Sequence, residues 1–410
     1  MDTRRDAAGS AGAPMTDEPS GARTLPSKVS SSLSRRRTVA ALLTGVVLIG
    51  IVAIYTSKIA RRMPDFEVYR RAAERAAVAA PLYRPEDGHW QFKYLPAFAV
   101  ATLPIGLGPD RLVRALWFGG SVLLLVVLLR KSVTVMPERL HSRAYLIGIT
   151  FVLLGKFYAH EFELGQVNIL MTTLVVLAVA SMQAGREIAA GLFIAAAVVV
   201  KPYAVLLLPW LLARRRLPSL AGVAIGTLVA LVLPIPVYGF QGNAHLLGEW
   251  WRTVTETTAP NLMDFNNVSA ASVFARWLGP GPTAQALAVG LVLVLLGVAV
   301  VVFFRRSGIA SPEPLEAALL LTLMPIISPQ GWDYVFLLST LATMLLVNYR
   351  EKLPGLMRPA VTTALVVIAF SIYDLVGRGV YQRFMRLSMI TICYLVVIAG
   401  LGVLRWKRVA

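Results

Sequence analysis

Long apolar stretches alternate with short basic segments along most of this chain. A membrane-spanning helix needs roughly 20 mainly apolar residues, and fewer where neighbouring helices shield it. We therefore predict an all-α polytopic membrane protein with about 12 transmembrane helices. Two of the stretches are short and flank Lys201-Pro202, where a break or re-entrant turn is expected because proline disrupts a helix. The predicted spans are 39–57, 112–130, 144–158, 164–183, 188–200, 203–213, 218–238, 284–304, 314–328, 333–349, 359–375 and 386–404.

Residues 1–37 differ from the rest, because they are rich in Gly, Ala, Ser, Pro and Arg and have no apolar period. We interpret them as a disordered basic cytoplasmic tail, followed by a transmembrane domain over 38–410. A cleaved signal peptide is the alternative interpretation. It is disfavoured because the apolar run begins late and no clear small-residue cleavage site follows it.

Composition and charge agree with a membrane protein. The chain is 57% hydrophobic and only 15% charged, which is typical of a polytopic membrane protein and not of a large soluble core. The net charge of +18 is expected in the loops between spans, so no nucleic acid partner is predicted. Cys393 is the single cysteine, which excludes a disulfide within the chain.

The basic residues predict how the spans are oriented. With the N-terminus inside, sixteen basic residues fall in inner loops and the C-terminal tail, against seven in the outer segments after the first loop. This bias follows the positive-inside rule and predicts cytoplasmic N- and C-termini. The long outer loops are then 58–111 and 239–283. The first breaks the rule, because it holds ten basic residues when Arg114 is counted with it, but long loops obey the rule less well than short ones. Because a full crossing by 95–107 would reverse every later loop, we interpret that segment as re-entrant or membrane-buried.

This orientation collects the unusual polar residues on the outer side, whereas the inner loops hold little besides arginine runs. A one-sided cluster favours a reaction centre at the outer boundary of the membrane. A transporter is expected to carry buried charges near the bilayer midplane, commonly on two similar halves, and the sequence has no convincing internal repeat. The outer polar set is Asp65, Glu67, Lys93, Tyr94, His160, Glu161, Glu163, Gln166, Asn168, Lys201, Asn266, Asn267, Trp332 and Asp333.

Two outer segments have the pattern of amphipathic helices that lie in the membrane interface. Between Asp65 and Ala80, apolar residues recur at helical spacing with charged residues between them. The segment 248–256, which contains Trp250 and Trp251, is a second candidate. Such helices would roof a cavity that lipid headgroups can enter.

Several motifs follow one another along the chain in a specific order. They are Asp65-Phe66-Glu67-Val68-Tyr69, Leu82-Tyr83, Phe92-Lys93-Tyr94-Leu95-Pro96, Leu164-Gly165-Gln166-Val167-Asn168-Ile169-Leu170, the block from Gly191 to Lys201-Pro202-Tyr203 with Arg214-Arg215-Arg216, Asn266-Asn267 with Ser269, and Ser328-Pro329-Gln330-Gly331-Trp332-Asp333. Together they resemble glycosyltransferase family 87, which contains polyprenol-phosphate-mannose-dependent alpha-mannosyltransferases of the bacterial cell envelope. Two positions depart from the family pattern. Tyr94-Leu95-Pro96 stands where Tyr-Pro-Pro is expected, and Tyr334 and Val335 stand where histidines are common.

The resemblance implies a GT-C-like fold in the plasma (inner) membrane, with the active site on the outer face. It implies a polyprenyl-phosphate sugar as donor, with mannose as the expected sugar, and a glycolipid or glycan as acceptor, both in contact with the lipid bilayer. It also implies that Asp65 is the catalytic base of an inverting displacement. No cofactor is expected. His160 with Glu161 and Glu163 has a spacing too weak to indicate a metal site.

Transfer from a lipid phosphate needs a carboxylate to accept the proton of the acceptor and a cation to stabilise the leaving phosphate. Asp65 is the candidate base, and its alternative role is a helix N-cap. Lys201 is a candidate phosphate ligand, and its alternative is a lysine that snorkels to the interface. Arg62 and Lys93 are further candidates for the phosphate.

The candidate sugar or acceptor ligands are polar or aromatic residues of the outer segments, and most have a structural alternative. Glu67 is alternatively a solvated or paired neighbour of Asp65. The adjacent asparagines Asn266 and Asn267 alternatively form a turn or a helix cap, and Trp332 is alternatively a membrane anchor. The full set is Glu67, Tyr94, Gln166, Asn168, Asn266, Asn267, Trp332 and Asp333.

A membrane glycosyltransferase is therefore the predicted function. The alternatives are a transporter or flippase of lipid-linked saccharides, and a family member that has lost activity and serves as a scaffold. The lack of repeats and the one-sided polar cluster argue against the first, and the retained Asp65 argues against the second.

Overall fold

The computed structural model describes residues 62–256 and 261–409, together with positions 50, 53, 55, 59 and 60. The predicted tail lies outside the described residues, and so does nearly all of the first predicted span. Within the described ranges the chain is helical and has no strand, apart from one isolated bridge between Asn267 and Trp332. The prediction of an all-α protein is confirmed for this part of the chain.

The helices follow one another through short connections. The α-helices are α1 (Pro64–Ala77), α2 (Pro96–Ala101), α3 (Leu103–Leu107), α4 (Asp110–Val135), α5 (Arg143–Leu164), α6 (Asn168–Gln183), α7 (Glu187–Val200), α8 (Leu207–Ala213), α9 (Leu217–Val232), α10 (Ile235–Glu256), α11 (Ala270–Leu278), α12 (Pro282–Phe304), α13 (Glu313–Ile327), α14 (Thr340–Asn348), α15 (Met357–Phe370), α16 (Tyr373–Val376), α17 (Arg378–Arg386) and α18 (Met389–Trp406). Among the described residues, 3₁₀ turns cover Pro85–Trp90, Pro202–Leu206, Asp333–Ser339 and Arg350–Lys352.

Several helices are long and apolar enough to cross a bilayer. In the described residues, α4, α12 and α18 meet this requirement singly. The pairs α5–α6 and α9–α10 meet it together, although they bend by 120° and 95° at their breaks. The described part of the chain therefore holds three to five candidate spans by length and composition, as expected of a membrane protein. The count of about 12 crossings stays a prediction.

The chain breaks at Lys201-Pro202, as predicted. Helix α7 ends at Val200, Lys201 has an extended backbone, and a 3₁₀ turn begins at Pro202. Proline suits the first position of such a turn because it has no N–H group to leave unsatisfied. The break turns Lys201 away from a regular helical register.

The segment 95–107 does not cross the membrane as one helix. It forms α2 and α3, whose six and five residues span only about 9 and 8 Å, against a hydrocarbon core of about 30 Å. Helix α3 packs closely on α1, because a Cβ atom at Gly106 would lie 2.7 Å from the backbone nitrogen of Glu74. That the segment is re-entrant or membrane-buried stays a prediction.

The amphipathic helix predicted from Asp65 to Ala80 is confirmed as α1, with slightly shifted ends. It buries one apolar face against the rest of the domain and carries arginines on the other. The second predicted segment, 248–256, is the end of α10, which bends at Gly239. Gly239 has a φ of 70°, a value that glycine adopts without strain.

Helices α7 and α9 pack closely against each other through two glycines, Gly191 and Gly222. A Cβ atom at Gly191 would lie 2.0 Å from the carbonyl oxygen of Ser219 and 2.8 Å from the Cα of Gly222. Glycines allow such a backbone approach, which increases van der Waals contact between membrane helices.

Replacing Gly191 with alanine is expected to destabilise the domain by about 1–3 kcal/mol, because the added methyl group must force the two helices apart. The measurement is the thermal unfolding midpoint of the purified protein in detergent. Gly290→Ala is the matched control, because Gly290 is also a helical glycine and has no atom within 4 Å of its Cβ position. An equal midpoint for the two variants would contradict the proposed packing.

A network of ion pairs ties together one end of the helices. Arg214 contacts Glu313 at 2.5 Å and Glu316 at 3.2 Å, and Arg216 contacts Glu313 at 2.6 Å. Arg216 also pairs with Glu187. Glu187 begins α7 and Glu313 begins α13. The opposite ends of both helices are about 20 Å away, from the rise per residue.

Candidate active site

A cavity of about 500 Å³ opens at the C-terminal ends of α7 and α13, which are opposite the ends that carry the ion-pair network. Segments that are distant in sequence form it: the start of α1, the loop before α2, the α5–α6 turn, the break after α7, and the loop after α13. Among its lining residues are Asp65, Tyr69, His89, Trp90, Gln91, Lys93, Tyr94, His160, Gln166, Lys201, Tyr203, Asn266, Trp332, Asp333 and Tyr334.

Asp65 lies in the first turn of α1 and faces this cavity. The N-cap of the helix is Met63, and no side chain caps its end. The alternative role of Asp65 as an N-cap is therefore wrong. Proline at the first helical position sets the helical φ in advance and places Asp65 at the second.

Burial raises the pKa of Asp65 above its ordinary value. The positive charge of Lys201, a hydrogen bond from Gln166, and the nearby His160 and His89 oppose this shift. A carboxylate with a raised pKa is a stronger proton acceptor than an ordinary aspartate. The local environment therefore suits Asp65 to general base chemistry.

A single glycine allows Gln166 to reach Asp65. Helix α5 ends at Leu164 and is capped by Gly165, which has the left-handed φ of 71° and hydrogen-bonds back to the last turn. A Cβ atom there would lie 2.8 Å from the Cβ of Phe66. Trp117 donates its indole N–H to the carbonyl oxygen of Gly165 at 2.9 Å. The turn is thus held against α1, and the next residue, Gln166, enters the cavity.

A chain of hydrogen bonds joins Lys201 to Gln166. Lys201 Nζ donates to the hydroxyl of Tyr94 at 2.8 Å, and that hydroxyl lies 2.8 Å from the hydroxyl of Tyr69. Tyr69 donates to Oε1 of Gln166 at 2.9 Å. Because Gln166 also bonds to Asp65, one polar network connects a cation with the candidate base.

Two lysines line the cavity. Lys201 lies over the ring of Tyr94, with Nζ 4.8 Å from the ring centre. Lys93 is half-buried, and burial lowers its pKa. Its backbone carbonyl accepts a hydrogen bond from Trp250 at 3.2 Å, so the end of α10 closes this side. Arg62, the third predicted phosphate ligand, is exposed and does not line the cavity.

Glu67 does not line the cavity, although it is only two residues from Asp65. It forms an ion pair with Arg114 of α4. The structure thus separates the two carboxylates, and the paired alternative for Glu67 is confirmed.

Asn168 is fully buried behind the cavity wall. Its amide donates to Glu161 at 2.9 Å, and its carbonyl oxygen accepts from the hydroxyl of Tyr203 at 2.7 Å. Glu161 also accepts from the backbone N–H of Ile169 at 3.0 Å. Asn168 therefore positions Tyr203, which lines the cavity, and does not line it itself.

The two adjacent asparagines, Asn266 and Asn267, also have different positions relative to the cavity. Asn266 lines the cavity, and its carbonyl oxygen accepts the backbone N–H of Asp333 at 3.0 Å. Asn267 is buried, and its amide donates to the carbonyls of Asn261 and Pro329 at 3.0 and 3.1 Å. Asn267 thereby fastens the segment before α11 to the loop after α13.

That fastening brings Trp332 and Asp333 into the cavity wall. Asp333 is buried and accepts a weak hydrogen bond from the hydroxyl of Tyr381 at 3.3 Å. Tyr334 packs beside His160, with ring centres 4.9 Å apart. The predicted residues from the late loop therefore meet Asp65 and Lys201 in one place.

Sequence reasoning missed some lining residues. Tyr69 lies four residues after Asp65, and this spacing puts both on one helix face, so the signal was present. His89 lies in the 3₁₀ turn before Lys93, where no local pattern indicates a site. That turn is held to α1 by a two-bond ion pair between Arg75 and Asp87, at 2.5 and 2.8 Å.

Comparisons with known proteins bear on this cavity. The sequence profile of glycosyltransferase family 87 matches residues 92–329, more than half of the chain. The matched range contains Lys93, Tyr94, Gln166 and Lys201, whereas Asp65 precedes it. No curated protein matches the chain significantly. The extent of the profile match shows that the chain belongs to glycosyltransferase family 87.

Proposed function

We propose that this glycosyltransferase transfers a hexose, specifically mannose, from a polyprenyl-phosphate donor to a glycolipid or glycan of the cell envelope. The main support for this proposal is that Asp65 and Lys201, which are far apart in sequence, line one cavity. Hydrogen bonds through Tyr94 and Gln166 connect the two side chains. Family membership supports glycosyl transfer, and the cavity supplies the charges which that chemistry needs.

The proposed reaction is a single inverting displacement. The acceptor hydroxyl attacks the anomeric carbon of the donor, and its proton passes to the carboxylate of Asp65. The bond from the anomeric carbon to the phosphate oxygen breaks, and the phosphate leaves with the electron pair. Lys201 and Lys93 stabilise its negative charge. Phosphate is already a good leaving group, so the second carboxylate of glycoside hydrolases is not needed.

The side walls of the cavity suit the remaining parts of the substrates. Trp332 offers an aromatic face for a sugar ring, and Asn266, Asp333 and Gln166 offer polar groups for its hydroxyls. A polyprenyl chain has the apolar character of the lipid around the domain, so the phosphate would enter the cavity while the chain stays in the bilayer.

We further propose a GT-C-like fold in the plasma membrane, with the cavity on the outer face. The arginine-rich network and the cavity lie at opposite ends of α7 and α13. Basic residues favour the cytoplasmic side. This pairing supports an extracytoplasmic site, where a lipid-linked donor is the suitable sugar source.

The test is sugar transfer by the purified full-length protein. Radiolabelled polyprenyl phosphate mannose is supplied with an envelope lipid extract, and the products are separated by chromatography. We expect an acceptor to become labelled, and we expect this labelling to depend on Asp65. Movement of the donor across a liposome membrane without any transfer would instead favour the flippase alternative.

The pH dependence of transfer gives a second test. Asp65 must be deprotonated to accept a proton. The rate of transfer is therefore expected to rise as the pH increases through the raised pKa of Asp65. Lys201 lowers that pKa by favouring the charged carboxylate. Lys201→Met is therefore expected to move the acid limb of the kcat profile to higher pH. An unmoved or lower limb would contradict the coupling of Lys201 to the base.

A further inference from the structure

A second cavity of about 500 Å³ lies between α12 and α18, away from the candidate active site. Both helices are singly long and apolar enough to span a bilayer. A Cβ atom at Gly297 would meet nothing within 4 Å, so the groove is open at that position. Its wall is almost entirely aliphatic and comprises Val294, Gly297, Val298, Val301, Val302, Ala399, Gly402 and Val403.

Basic side chains gather at one end of this groove. Arg305 follows the last residue of α12, and its guanidinium lies 3.1 Å from the centre of the Trp406 ring. Stacking occupies the flat face of the guanidinium and leaves its edge N–H groups available. Arg306 follows Arg305 in sequence, and Lys407 and Arg408 follow Trp406. In the described ranges, none of these four basic residues forms an ion pair with a carboxylate.

A buried arginine also lines the groove at this end. The side chain of Arg405 is only 1% exposed. Its Nη2 donates to the carbonyl of Pro312 at 2.8 Å and lies 3.9 Å from Glu316, whereas Nε and Nη1 have no hydrogen-bond partner among the described residues. Buried donors without an acceptor are costly. Nε and Nη1 of Arg405 therefore remain available to an anionic or strongly accepting group, because Pro312 and Glu316 contact Nη2.

We propose that the groove binds an anionic glycerophospholipid, with an acyl chain along the valines of α12 and the phosphate at Arg305 and Arg405. From Val294 to Arg305 the helix rises about 16 Å, enough for an extended stretch of acyl chain. Phosphate accepts the paired N–H groups that a guanidinium presents. Basic pockets between spanning helices favour anionic headgroups for this reason. A zwitterionic lipid would leave the excess positive charge uncompensated.

Photo-crosslinking of the full-length protein tests this proposal. The probe is phosphatidylglycerol with a photoreactive acyl chain, in mixed micelles, and labelled peptides are mapped by mass spectrometry. Label is expected in α12 and α18, and filling the groove with Gly297→Leu should reduce it at least about fivefold, equivalent to about 1 kcal/mol. Gly290→Leu is the matched control, because Gly290 is also open and exposed on α12 but does not line the groove.

The headgroup is tested separately. Arg305→Gln should reduce the preference for phosphatidylglycerol over a phosphatidylcholine probe, because Arg305 is proposed to contact the phosphate, while the thermal midpoint stays near that of the parent. In the unaltered protein, unlabelled phosphatidylglycerol should compete for the site and phosphatidylcholine should not. Equal labelling by the two probes, or labelling that Gly297→Leu leaves unchanged, would overturn the proposal. Neither α12 nor α18 lines the first cavity, so the outcome is independent of the transfer reaction.

Discussion

Replacing Asp65 with asparagine is expected to lower kcat for sugar transfer by about 10²- to 10⁴-fold, the contribution typical of a positioned general base. Asparagine has nearly the same shape, and its side-chain oxygen can still accept the hydrogen bond from Gln166. It cannot take up the proton of the acceptor hydroxyl. The measurement is kcat with saturating donor and acceptor, on protein whose thermal midpoint matches that of the parent.

Glu67→Gln is the matched control for this variant. Glu67 lies on the same helix and carries the same charge, but it pairs with Arg114 and does not line the cavity. The pair is partly exposed, so its loss should cost at most about 1 kcal/mol of stability and leave kcat within about threefold. Undiminished transfer by Asp65→Asn, with normal membrane expression, would exclude Asp65 as the base.

Replacing Lys201 with methionine is expected to lower kcat/KM for the donor by about tenfold or more. The physical reason is the loss of a hydrogen bond to a charged phosphate, worth about 1.5–3 kcal/mol. Methionine keeps most of the length and apolar contact of the lysine side chain. The donor Michaelis constant should rise, because Lys201 is proposed to contact the phosphate before and during transfer.

Lys156→Met is a close control for the loss of a lysine. Both lysines are half-buried, both donate to a neutral oxygen, and both lie 4.8 Å from the centre of an aromatic ring. Lys156 bonds to Ser371 and does not line the cavity. Its replacement is expected to change the donor Michaelis constant by no more than about twofold. An unchanged constant in Lys201→Met would reject the phosphate role.

Much of the architecture follows from local patterns. The apolar stretch predicted at 188–200 is observed as α7, which begins at Glu187 and ends at Val200. The break at Lys201-Pro202 was predictable, because proline lacks an N–H group and clashes with the preceding turn. The amphipathic pattern after Asp65 likewise predicted α1. These features depend on residues within a few turns of one another.

Crossing the membrane is harder to predict than forming a helix. The predicted stretch 164–183 is observed as α6, which begins at Asn168 after a bend of 120° from α5. Hydropathy registers where a segment is apolar, but it does not register the bend at Gly165. That bend depends on contacts with α1, which lies about a hundred residues earlier.

By itself, the sequence determined that this is a helical membrane protein of glycosyltransferase character, with its polar residues concentrated in a few segments. Only the tertiary structure decided which of those residues share a cavity. Asp65 and Glu67 are separated by about 200° around a helix, and packing against the α5–α6 turn and α4 sends one into the cavity and the other to Arg114. Helical periodicity gives the angle between two side chains, but the neighbours on each face are set by long-range packing.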